Sequence, residues 1–124
     1  DMYKFKTPAL RNVSLTAPYG HNGAYPTLKS IIKHHLNPIK MNKNWKPEYA
    51  NLPKAPWLEE IDFVTFSDKR EQDRILSSID IQPIELNDKE IDELVSFLES
   101  LTGRSGNQRP LGKPDKVPSG LSID

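Results

Sequence analysis

The chain has 124 residues, 35% hydrophobic and 8% aromatic with 11 prolines, and its 17 Lys+Arg balance its 17 Asp+Glu. One domain of this length can bury roughly two thirds of its unfolded surface, but neutral mixed charge makes no case for nucleic acid or an anionic membrane surface. No apolar run nears the ~20 residues of a membrane span. With no cysteine, the chain forms no disulfide, thiolate zinc site, thiol nucleophile or thioether-linked haem of its own.

Asp1-Met2-Tyr3-Lys4 does not read as a secretory signal. Residues 1–26 are punctuated by Pro8, Pro18, Gly20, Gly23 and Pro26. They read as an ordered loop with at most a short strand or turn near Leu10–Leu15. Thr27 then caps a helix. Leu28, Ile31, Ile32, His35 and Leu36 fall on one apolar face of it. Asn37-Pro38 ends it, because a residue before proline avoids the helical region.

Residues 37–60 read as irregular, broken by Pro38, Pro47, Pro53 and Pro56. Trp45, Tyr49 and Trp57 are expected to pin this loop to apolar surface. Ile61–Phe66 alternates weakly and reads as a short strand or packed loop. Ser67 caps a modest helix from Asp68 to about Ser78, with Ile75, Leu76 and Ile79 as its apolar side. Ile81–Leu86, with Pro83 inside, is loop. Asn87 caps the strongest helix, with Glu90 at capping-box spacing. Its stripe is Ile91, Leu94, Val95, Leu98 and Leu101, and Gly103 is the natural C′ residue. Residues 103–124 are polar and rich in proline and glycine, a tail that wraps another surface or is disordered.

The ratio of loop to core favours a piece of a larger protein, its core completed by another segment or a cofactor, over a free-standing loop-rich domain. The three histidines are the chemical candidates. His35 falls near the centre of the apolar stripe, and His34, about 100° away, points sideways or outward. An imidazole on an apolar face is either a core histidine bonded to backbone or a metal ligand. His21, in Tyr19-Gly20-His21-Asn22-Gly23, is a turn residue or part of a site. Arg11 is suited to a carboxylate or phosphate group, or to a surface salt bridge. The charge run Asp68–Arg74 is a solvated helix face. No nucleophile elbow and no glycine-rich phosphate loop is present.

The string Phe5-Lys6-Thr7-Pro8-Ala9-Leu10-Arg11-Asn12-Val13, then Leu15-Thr16-Ala17-Pro18-Tyr19-Gly20-His21-Asn22-Gly23, then Thr27-Leu28, resembles one family. So do Leu94–Leu98, Leu101-Thr102-Gly103 and Val117–Leu121. The likeness is to the C-terminal part of the bacterial diheme cytochrome c peroxidases and the methylamine-utilisation-type diheme oxidases. It covers residues 5–36 and 87–121, leaving 37–86 as an insertion.

This resemblance implies a mainly α fold: a loop-rich C-terminal portion of a cytochrome-c-like haem domain, with two or three helices and long irregular connections. Residues 1–103 would belong to that domain and 104–124 to an extended tail. It implies a periplasmic redox protein with two c-type haems, each bound through Cys-x-x-Cys-His. The segment would complete the pocket of the electron-relay haem. The second axial ligand comes from the helix after the histidine turn, methionine in the peroxidases and tyrosine in the methylamine-type enzymes. Counting along without a gap, that position is His35, with Met41 as runner-up. Arg11 and His21 would lie near the haem edge. Calcium would sit on the backbone carbonyls of Thr16 and Pro18. The implied partners are the haem-bearing N-terminal portion and an electron-donor protein. The competing functions are a haem-free interaction or structural module and a calcium-dependent scaffold. This chain alone is not expected to be catalytic.

Overall fold

A computed structural model describes residues 4–52, 54–59, 61–103 and Pro118. The tail expected over 104–124 therefore lies, Pro118 apart, outside the described residues. Five α-helices form among them: α1 (Leu28–Leu36), α2 (Pro38–Asn44), α3 (Val64–Ser67), α4 (Lys69–Ser77) and α5 (Asp88–Ser100). The described residues contain no strand, only an isolated bridge between Tyr19 and Tyr25. The fold is mainly α, as expected, with more helices than the two or three anticipated.

α1 starts where the Thr27 side chain accepts the Ser30 N–H and the Ser30 hydroxyl accepts the Thr27 N–H. This reciprocal cap satisfies two donors that a helix start leaves open. The helix stops at Asn37, as Pro38 requires. The chain does not stay irregular there. Pro38 occupies the first turn of α2, where its missing N–H costs nothing, and Asn37 Oδ1 accepts the Lys40 N–H at 2.9 Å. The same dipeptide closes one helix and opens the next.

Ile61–Phe66 is not a strand: Val64–Phe66 lie in α3. Asp68, not Ser67, caps α4, its carboxylate accepting the Arg70 and Glu71 N–H groups. α5 has the expected Asn87–Glu90 capping box, at 3.0 and 2.8 Å.

α1 packs on α2 and α5, and α5 packs on the 3-10 turn Val13–Leu15. Asn12 ties loop to helix end. It adopts a left-handed φ of 58°, its N–H donates to the Leu101 carbonyl at 3.2 Å, and its Oδ1 accepts the Gly103 N–H at 2.8 Å. The Ser14 and Thr102 hydroxyls share a hydrogen bond beside it. Gly103 does not form a left-handed cap; its backbone meets Asn12 instead.

The apolar core of the described residues is small: Tyr25, Leu28 and Ile91. Phe5, Trp57, Ile61, Val64, Ile84 and Phe97 are each more than half exposed. Leu94, expected in the buried stripe of α5, is exposed as well.

Candidate functional site

The Gly20–Ala24 turn and the face of α1 beside it hold the chemical candidates. Positive φ values at Gly20, Asn22 and Gly23 make the chain double back. A Cβ at Gly23 would lie 2.9 Å from the Pro18 ring, so only glycine fits. The turn is closed by two bonds, Tyr19 N–H to Tyr25 carbonyl at 2.7 Å and Tyr25 N–H to Tyr19 carbonyl at 3.0 Å. The Tyr19 hydroxyl donates to the Val13 carbonyl at 2.9 Å, joining the turn to the segment that grips α5.

Tyr25 then reaches α1. Its hydroxyl lies 2.9 Å from His34 Nδ1, and the two rings are 5.0 Å apart. Burial raises the Tyr25 pKa above the ordinary phenol value. It lowers that of His34 below the ordinary imidazole value, and the charge on His35 lowers it further. Both effects keep the pair neutral near pH 7.

Here the structure reverses an expectation. His34, expected to point sideways or outward, is half-buried against Tyr25, and His35, expected mid-stripe, is exposed. The reason is that α1 is gripped on two sides. Leu28 is buried, and Lys29 and Lys33 bond α5 acids, on one side; Tyr25 takes the His34 side. Leu28 shares the His35 face two turns earlier, and the cover over that face does not reach the last turn of α1, where His35 stands.

His35 Nδ1 lies 3.0 Å from the Ile31 carbonyl. A carbonyl only accepts, so the proton is on Nδ1. In the neutral ring that leaves Nε2 with a bare lone pair, at an exposed position. This arrangement of one ring nitrogen anchored and the other free is the one metal-bound histidines adopt, so the residue fits an axial haem ligand. Met41 is half-buried within α2, not in a loop beyond a helix.

The other candidates are spread around the turn. Arg11 is exposed, with no ion pair among the described residues. His21 is exposed and stacks on Phe5, ring centroids 5.0 Å apart. The Thr16 side chain and N–H both bond the Val13 carbonyl. The carbonyls of Thr16 and Pro18 accept no hydrogen bond among the described residues. No cluster of three or more His, Asp or Glu side chains suited to a metal ion occurs among the described residues. No bond or ring contact joins His35 directly to Arg11, His21, Thr16 or Pro18; its link to the turn runs through His34 and Tyr25.

Described residues between 45 and 72 cover another side of the turn. Trp45 Nε1–H donates to the Ala24 carbonyl at 2.9 Å, and the Asn51 N–H donates to the Gly23 carbonyl at 3.2 Å. The Trp45 ring also meets Phe63 and Phe66. Trp45 is thus the expected pin, but Tyr49 and Trp57 are not: they are exposed, Trp57 at 80%. An open groove of about 740 Å³ runs between turn and cover, with His21, Trp45, Leu58, Asp62 and Phe66 on its walls. His35 is not on them.

Tyr25 was not a candidate in the sequence. Its signal was only an aromatic placed between a glycine turn and a helix cap. Among the described residues no helix is long and apolar enough to cross a membrane.

The chain is similar to the methylamine utilization protein MauG of Paracoccus denitrificans, 38% identical over 106 residues, covering 82% of this chain and 23% of that protein. MauG of Methylorubrum extorquens is 25% identical over 99 residues, 80% of this chain and 19% of that protein. The cytochrome c peroxidase Ccp of Escherichia coli is 54% identical over 33 residues, 27% of this chain and 7% of that protein. The chain therefore spans less than a quarter of the length of these relatives. No family model matches it, and no solved structure does.

Proposed function

We propose that this chain, which belongs to the diheme cytochrome c peroxidase family as a segment of it, is the C-terminal piece that closes one haem pocket and supplies that haem's second axial ligand. His35 is the ligand. The observation that carries this is its geometry: Nδ1–H held by the Ile31 carbonyl, Nε2 exposed and bare, one helix beyond the histidine turn. The haem, when bound, supplies one-electron redox chemistry. With no cysteine here, its covalent anchor belongs to another part of the protein.

The chain's own residues bind and exclude water. Exposed Leu10, Leu15, Leu94 and Phe97 offer apolar surface of the kind a haem face or a second domain covers. Arg11, with its planar cationic fork, is suited to a propionate, and His21 stands in the Gly20–Ala24 turn that follows. The free carbonyls of Thr16 and Pro18 suit a hard cation such as calcium. A periplasmic setting and an electron-donor partner accompany this reading.

The test is His35→Ala in the full-length, haem-loaded protein. The absorption spectrum should lose the low-spin signature of one haem, with the other haem's contribution unchanged. A spectrum identical to wild type removes His35 as the ligand.

A further inference from the structure

We infer that Tyr25 and His34 are positioning residues for His35: their hydrogen bond locks the Gly20–Ala24 turn to α1 and fixes the orientation in which His35 presents Nε2. This rests on the axial-ligand reading of His35 above.

Tyr25 is held at both ends. Its backbone is paired in both directions with Tyr19, and its ring is buried, close against Gly20, where an added Cβ would stand 3.1 Å from Tyr25 Cδ2. Its hydroxyl therefore projects from a fixed frame. It meets His34 Nδ1 at 2.9 Å. The two atoms share one hydrogen bond, whose donor is set by the imidazole tautomer.

His34 in turn stands edge-on to His35, ring centroids 5.7 Å apart and planes at 84°. The His35 ring is thus confined twice, by the Ile31 carbonyl on its Nδ1–H and by the His34 ring on its flank. Only the second constraint passes through Tyr25. α1 itself keeps other anchors: its Thr27 cap, and the Lys29–Asp92 and Lys33–Asp88 pairs to α5 at 2.6 and 3.6 Å. Removing the Tyr25 hydroxyl should leave the helix folded and free the ring. Groups that hold a ligand from behind tune a metal site by this means.

The ferric low-spin electron paramagnetic resonance signal reports the orientation of the axial ligand plane, so it reads this constraint where a stability measurement does not. Four variants are compared in the full-length, haem-loaded protein: Tyr25→Phe, His34→Leu, His34→Asn and His35→Ala. Tyr25→Phe and His34→Leu should shift and broaden the g-values of the signal that His35→Ala removes, with the haem still low-spin. His34→Asn, which keeps an amide able to bond the Tyr25 hydroxyl near the Nδ1 position, should restore wild-type g-values. If His35→Ala removes the signal while Tyr25→Phe and His34→Leu match wild type, the positioning role is overturned and the ligand reading stands. If His34→Asn is as displaced as His34→Leu, the positioning role is likewise overturned. If His35→Ala leaves every signal intact, both readings fall. Should Tyr25→Phe not fold, the His34→Leu and His34→Asn pair decides alone.

Discussion

The loop before α1 and the loop after α2 are both rich in proline, yet they are held by different means. Residues 10–25 are tied by backbone and polar side-chain bonds that reach far along the chain: Asn12 to Leu101 and Gly103, Ser14 to Thr102, Tyr19 to Val13 and Tyr25. Among the described residues, 45–66 meet the turn through the Trp45 Nε1–H bond to Ala24 and one backbone bond from Asn51 to Gly23, and within the segment the Trp45 ring packs on Phe63 and Phe66. Directional bonds fix orientation, while an aromatic contact fixes proximity and tolerates sliding. Arg11, Thr16, Pro18 and His21 lie on the directionally bonded loop, and His35 lies on the helix that follows it.

That contrast can be broken most strongly at Asn12. Asn12→Ala removes the acceptor for the Gly103 N–H and places a residue with a Cβ and no compensating bond at a φ of 58°. The expected loss is about 2 kcal/mol. Amide exchange on the intact protein should show it as faster exchange at Leu101–Gly103 and Val13–Leu15 together. Acceleration at only one of the two would mean the clip does not couple them.

Trp45→Phe sharpens the other side of the comparison. It keeps the ring against Phe63 and Phe66 but loses the Nε1–H bond to the Ala24 carbonyl. About 1 kcal/mol should be lost, visible as a lower thermal midpoint. Trp57→Ala, at an 80% exposed position, should move that midpoint hardly at all. Equal effects of the two would show that Trp45 is not the pin.

The smallest effect belongs to Lys4–Asp80, an exposed pair at 3.0 Å that joins the segment before the first loop to the stretch after α4. The hydrogen bond from Lys4, with its charge, holds the Asp80 carboxyl below the ordinary carboxylate range. A depressed folded-state value contributes stability above the unfolded carboxylate pKa of about 3.9 and loses it as pH falls through the folded value. Lys4→Gln should therefore lower the thermal midpoint slightly at pH 7 in low salt and leave it unchanged well below pH 3. A larger difference in acid than at neutrality would reverse that sign.

Much of this frame is legible in the residues because it depends on neighbours in sequence. Thr27 with Ser30 and Asn87 with Glu90 are local caps, so α1 and α5 can be read directly. Asn37-Pro38 carries two local meanings, stop and start, and only packing of α2 on α1 selects the second. Ile61–Phe66 has apolar residues enough for a strand, but no partner strand exists among the described residues, and Trp45 draws Phe63 and Phe66 inward from a helical turn. The exchange of His34 and His35 has the same origin. Periodicity reports one apolar stripe, whereas α1 is gripped on two sides, one of them by Tyr25, whose reach no helical pattern contains. The family strings singled out the loop and His35 as the proposed ligand, and the contacts of Tyr25 and His34 beside it came only with the structure.

The central claim is that His35 completes a haem's coordination, and the reduction potential of that haem tests it most directly. Replacing an imidazole by a thioether raises a haem's potential while preserving six-coordinate, low-spin iron. In the full-length protein, His35→Met should raise the midpoint potential of one haem, keep that haem low-spin and leave the other haem as it was. Potentials and spectra unchanged from wild type at both haems would contradict the account.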